Sequence, residues 1–174
     1  MSGNRKHGQH AITLALPALT AGASTDAGAS YIHNAYPEGS ALVGGDLNAY
    51  VDPTQYACVE ASFVTDAVLT GQATNYPNIA LEHYNSAGTL VDKILVAFSA
   101  AGVVTGAQVP VNLNRASGAV ATGAGTGVIA NPTGVVLPWK LQHGDCVVFA
   151  RRSTGTGEAT PPMSCTIQIA ESQS

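Results

Sequence analysis

Hydrophobic positions along this chain recur at every second residue, not at every third or fourth. Over Cys58–Thr70 one face carries Val59, Ala61, Phe63, Thr65, Ala67 and Leu69, and the other Cys58, Glu60, Ser62, Val64, Asp66 and Val68. The first face is mostly apolar and the second mixed, as for a strand with one side on a core. Asn78–Asn85 predicts a second strand and Thr89–Phe98 a third. The turn Asn85-Ser86-Ala87-Gly88 joins them as a hairpin. The face Leu90, Ile94, Val96 and Phe98 is apolar apart from Asp92.

Further along, Gln108–Leu113 reads as a short strand, and Pro110 marks an edge or a bulge. His143–Arg152 places Cys146, Val148 and Ala150 on one face and Val147 and Phe149 on the other. Two apolar faces predict a central strand. Met163–Ala170 closes the series, with Cys165, Ile167 and Ile169 inward. Ala41–Val51 gives a weaker signal, bent at Gly44-Gly45. No segment sustains a helical period, so the chain is expected to be all-β: one antiparallel β-sandwich of about seven to nine strands.

Two stretches fall outside this pattern. Residues 1–28 combine a polar, mildly basic start with an apolar run, Ala11–Leu19, that Pro17 keeps from forming a helix. They are expected to form an extended N-terminal arm, leaving 29–174 as the sandwich. Arg5, Lys6 and His7 before that run, and Ala21-Gly22-Ala23 after it, have the outline of a secretion signal. Gln9, His10 and Pro17 interrupt the outline, and the arm is the reading preferred. Residues 115–137 are rich in Gly, Ala and Thr with no charge after Arg115, and are expected to form a long loop packed on a neighbour.

Composition narrows the function. Only 10% of the 174 residues are charged, against roughly 25% in an average soluble domain. The seven Lys and Arg against eleven Asp and Glu leave no basic stripe for phosphates, so nucleic acid is not an expected partner. No apolar run reaches the roughly 18 residues of a membrane helix. Three cysteines, Cys58, Cys146 and Cys165, are too few and odd in number for a disulfide scaffold, and are expected to be reduced.

Catalytic and ligand-binding motifs are not found. Gly123-Ala124-Gly125-Thr126-Gly127 lacks the spacing of a dinucleotide loop and the lysine of a P-loop. The five histidines do not sit at metal-ligand spacing with a second ligand outside the terminus (His7, His10). His143-Gly144-Asp145 reads as a solvated turn rather than a dyad. Glu60 and Asp66 share a strand face but lie roughly 20 Å apart, too far for a hydrolytic pair. No enzyme activity, cofactor or metal is expected. Tyr31, Tyr36, Tyr50, Tyr56, Tyr76, Tyr84 and Trp139 could stack on a sugar, but they are scattered.

The order of segments carries a resemblance over residues 57–171. It runs through Cys58–Thr70, the hairpin 78–98 with its Asn85-x-x-Gly88 turn, Leu137–Phe149 with Gly144-Asp145 leading into a late strand, Thr154-Gly155-Thr156-Gly157, and Met163–Ala170. This resembles the head-decoration (cement, or minor capsid) proteins of tailed bacteriophages, whose domain is a jelly-roll-like β-sandwich.

The resemblance implies a structural virion protein made in the bacterial cytoplasm. It would sit on the outer capsid surface, bridge major capsid protein subunits and self-associate, as a trimer for example. On that reading Ile12, Leu14, Leu16 and Leu19 of the arm, and Val120, Val128 and Ile129 of the loop, are the candidate capsid or subunit contacts. Alternatives are a carbohydrate-binding or host-adhesion sandwich using the tyrosines and Trp139, a tail- or fibre-associated structural protein, and, if the secretion signal is real, a secreted bacterial sandwich.

Overall fold

The computed structural model describes residues 10–20, 27–32, 55–71, 73–98, 104–105, 107–113, 118–121, 126–130, 136–153 and 159–172. Among them the period of two becomes thirteen strands, with no helix. In chain order these are β1 (His10–Leu16), β2 (Ala27–Ile32), β3 (Gln55–Thr65), β4 (Leu69–Thr70), β5 (Pro77–Tyr84), β6 (Leu90–Ala97) and β7 (Val104–Thr105). They continue with β8 (Val111–Asn112), β9 (Gly118–Ala121), β10 (Thr126–Ala130), β11 (Trp139–Leu141), β12 (Cys146–Ser153) and β13 (Met163–Ser172). The weak strand expected over Ala41–Val51 lies outside the described residues.

Two antiparallel sheets pack face to face as a sandwich. One has the order β1-β13-β3-β11, with β8 also on β3; the other runs β2-β12-β5-β6-β10-β9. The short pair β4–β7 stands apart from both. The core forms where inward rows meet: Phe63, Cys165 and Ile167 from the first sheet, and Leu81, Ile94, Val147 and Phe149 from the second. Phe63 and Phe149 touch across the gap, ring centroids 6.0 Å apart and tilted by 36°. Burying each such side chain contributes roughly 1.5–3 kcal/mol. β12 is central, between β2 and β5, as its two apolar faces require.

The expected alternation along Cys58–Thr70 is interrupted. β13 pairs Gln168 with Glu60 but the next residue, Ile169, with Cys58, so Val59 is the extra residue of a bulge. The bulge reverses the inward face. Cys58, expected outward, is fully buried, whereas Val59 is half-buried. Ala61, Phe63 and Thr65 keep the inward positions expected of them.

The arm and the loop also differ from expectation. Residues 10–16 form an edge strand of the sandwich itself, paired along its whole length with β13 from His10↔Ile169 to Leu16↔Met163. Leu14 and Leu16 are 6% and 4% exposed and belong to the chain's own core. Pairing with β13 carries the apolar underside of β1 over the facing sheet, where it meets β2 and β12. Residues 1–9 and 21–26 lie outside the described residues. Within 115–137, β9 and β10 form a hairpin whose second strand adds to β6 through Val128↔Ala97, Ile129↔Val96 and Ala130↔Leu95. An uncharged segment with β-branched residues satisfies its backbone by lengthening the sheet rather than by hydration.

Candidate functional site

One end of the six-stranded sheet brings together the most distinctive side chains. Its outer face carries a cross-strand row: Ile32 pairs with Cys146, Cys146 with Tyr84, and Tyr84 with Leu90. Cross-strand partners point to the same side, so the four form one strip over β2, β12, β5 and β6, roughly 14 Å long. Ile32 and Leu90 are 53% and 43% exposed, and Val91, the extra residue of a bulge opposite Tyr84, is 45% exposed. No residue of the strip is an acid or a base at neutral pH. Exposed apolar residues scattered singly are ordinary, but a continuous strip is the raw material of an interface.

Beneath the strip, on the inward face, lies a buried polar cluster. The imidazole of His83 in β5 has Nε2 3.0 Å from Asp145 Oδ2 and Nδ1 3.3 Å from Asp92 Oδ2. The side chains of His83, Asp145 and Asp92 are 5%, 7% and 13% exposed. An ionised carboxylate only accepts hydrogen bonds, so both contacts are satisfied when the ring donates from both nitrogens. The ring face stacks on Trp139 of the other sheet, centroids 5.9 Å apart at 19°. Among the described residues the indole Nε1 donor has no acceptor. The cluster therefore ties β5, β6, β11 and the turn before β12 into one corner.

Two turns complete that corner. In the 85–88 turn, Asn85 Oδ1 accepts from the backbone N–H groups of Ala87 (3.1 Å) and Thr89 (2.9 Å), and Gly88 takes a φ of +77°. In the 142–145 turn, Asp145 Oδ2 also accepts from the Gln142 N–H at 2.9 Å, and Gly144 has a φ of +85°. The turns abut: a Cβ on Gly144 would lie 2.9 Å from Ser86 Cβ. Both the φ and the contact demand glycine.

A second charge network holds the strip from the side. Glu82, 1% exposed on the outer face of β5, accepts from Arg152 Nη2 (2.6 Å), Arg152 Nε (3.2 Å) and Tyr84 Oη (2.9 Å), and pairs with Lys93 Nζ at 2.9 Å. Burial alone would raise the Glu82 pKa. The hydrogen bonds from Arg152, Lys93 and Tyr84 outweigh it, and the carboxyl titrates below its ordinary 4.5. Burial, and then the neighbouring Glu82, push the Tyr84 hydroxyl up. Tyr84 is thus fixed by its hydroxyl while its ring remains in the strip.

The contact residues expected from sequence fall elsewhere. Leu14 and Leu16 are interior, Ile12 packs on the same core, and Leu19 is half-buried in a bridge with Thr160. Val120, Val128 and Ile129 lie on β9 and β10, on the far side of the six-stranded sheet from β2. Trp139, 1% exposed, is closed to a sugar; Tyr36 and Tyr50 lie outside the described residues. Asp145 is engaged by His83, a partner the sequence reading did not single out. The cysteines are free; burial pushes Cys58 up to about 12 and raises Cys165 too. Comparison of the chain with protein-family models, curated proteins and solved structures finds no match.

Proposed function

We propose that this chain is a structural virion protein that decorates the outside of a tailed-phage head and bridges adjacent major capsid protein subunits. The observation that carries the reading is the strip Ile32–Cys146–Tyr84–Leu90: continuous, uncharged, partly exposed and rigidly backed. A surface fixed before contact loses little conformational freedom on docking, which favours affinity. The low charge of the whole chain supports a protein that keeps much of its surface against others. The Gly144-Asp145 lead-in and the Asn85–Gly88 turn, two of the motifs behind the resemblance, both border the strip.

Clamping would work by mass action. A protein that binds the expanded shell across a subunit junction, and not the separated subunits, stabilises the shell in proportion to its occupancy. The test is co-sedimentation with undecorated, expanded heads, counted as copies per shell. Saturation at a symmetry-compatible number is expected. A folded protein that never pellets with heads would remove the capsid reading, and binding to tails or to polysaccharide in its place would establish one of the alternatives.

A further inference from the structure

The strip has unequal flanks. On one side it ends in the turn that follows β5, Asn85-Ser86-Ala87-Gly88-Thr89, which carries no charge. On the other, one two-residue step along the strands (roughly 7 Å), the next outward row runs Ser30, Val148, Glu82 and Lys93. Glu82 is sealed in that row, its side chain 2% exposed, whereas the two cations it holds reach the solvent, Lys93 at 23% and Arg152 at 30%. The network hides its anion and shows its positive ends. Arg152 arrives from further along β12, where it pairs with Asn78, and crosses the row Ala150–Ala80; both of these outward alanines are fully buried. Lys93 is the cation beside the strip. It stands on β6 with Leu90, and its Nζ, 2.9 Å from Glu82 Oε1, has three donors to share.

We propose that the partner surface received by the strip carries an apolar ridge with an aspartate or glutamate side chain roughly 7 Å to one side, over Lys93. The proposal rests on the docking role of the strip and names the chemistry that docks. A surface closed over the strip also covers the adjoining row, and a cation covered by apolar atoms forfeits its hydration. A carboxylate replaces that hydration through a charge-assisted hydrogen bond, stronger than the bond a neutral acceptor makes. A partner ammonium or guanidinium is repelled by Lys93 and Arg152 alike. The chain as a whole has a net charge of −4, so an acidic partner is attracted at this edge and repelled by the rest. The uncharged turn on the opposite flank makes the attraction one-sided, which sets the orientation of docking.

The test uses sodium octanoate, an apolar chain ending in a carboxylate, against octylammonium chloride, its cationic counterpart, both below their micellar concentrations. Each is titrated into the whole protein and followed by NMR at the backbone amides of Tyr84, Leu90 and Lys93. Saturable shifts at all three are expected with octanoate, at a concentration about threefold lower than with octylammonium, the scale of one exposed ion pair. Lys93→Gln should abolish the preference and Lys93→Arg should retain it. No saturable shift with octanoate, equal affinities for the two probes, or a preference that survives Lys93→Gln would each overturn the proposal. Expanded heads decide the capsid reading separately. Native protein that prefers octanoate but never pellets with heads removes the capsid reading and leaves the chemistry of the strip standing. Protein that pellets equally well after Lys93→Gln keeps the capsid reading and removes the acidic contact.

Discussion

His83 on one sheet lies flat against Trp139 on the other, ring centroids 5.9 Å apart, while both of its nitrogens face carboxylates. The imidazole is at once a packing element between sheets and the shared partner of Asp92 and Asp145. These roles separate by substitution. His83→Phe keeps a flat ring for Trp139 but leaves two buried acids facing an apolar edge. A loss of about 1–3 kcal/mol is expected for each buried acceptor left without its hydrogen-bond partner. Adding Asp92→Asn and Asp145→Asn to His83→Phe should recover part of it. Urea unfolding of the single and triple variants measures both effects; no recovery would show that Asp92 and Asp145 contribute nothing through charge.

Glu82 makes stability depend on acid in a defined direction. Its carboxyl titrates lower in the folded chain than its ordinary 4.5, so the unfolded chain takes up the proton first as pH falls. The stabilisation is therefore complete above 4.5 and is lost as pH drops through the folded value. Glu82→Gln removes it at every pH. The urea midpoints of native protein and Glu82→Gln should differ most at neutral pH and converge on acidification. A constant difference across that range would show that Arg152 and Lys93 do not hold the carboxylate.

The two left-handed glycines should respond unequally. A Cβ on Gly88 would meet nothing within 4 Å, so Gly88→Ala incurs only the backbone penalty of its φ of +77°, about 1–2 kcal/mol. Gly144→Ala incurs a similar penalty and also drives its methyl into Ser86 at 2.9 Å. Its cost should exceed that of Gly88→Ala. Ser86→Gly should return only the steric part, a coupling that a double-mutant cycle in chemical denaturation reads directly.

Most of the sandwich was legible in the sequence because alternation is a local property. The β5–β6 hairpin, β12 and β13 appear where Asn85–Gly88, the two apolar faces of Cys146–Arg152 and the inward Cys165, Ile167 and Ile169 placed them. What was hidden depended on pairing. The bulge at Val59 exists only because β13 imposes its register on β3, and the edge role of β1 depends on β13, some 150 residues away. The His83 corner joins the β5–β6 hairpin to β11 and the turn before β12, which lie far along the chain from it. Its one visible trace was Asp92, the lone acid on an otherwise apolar face, which marked a buried partner without naming it. The strip was equally invisible, since Ile32, Cys146, Tyr84 and Leu90 become neighbours only across strands.

Leu90 separates folding from docking. It is 43% exposed and stands at the end of β6, so Leu90→Asp removes little packing from the sandwich. A change in unfolding free energy within about 0.5 kcal/mol is expected, the usual range for a surface substitution away from buried features. In the strip, the same change puts an unpaired carboxylate beside Tyr84 at a surface that would be desolvated on contact. Binding to expanded heads should fall by about tenfold or more, the equivalent of roughly 1.4 kcal/mol. Ser86→Asp, on the exposed tip of the adjoining turn, adds the same charge off the strip and should bind nearly as the native chain does. Co-sedimentation of the two variants at matched concentration distinguishes a contact made by the strip from a general effect of added charge: equal losses would place the docking surface elsewhere on the molecule.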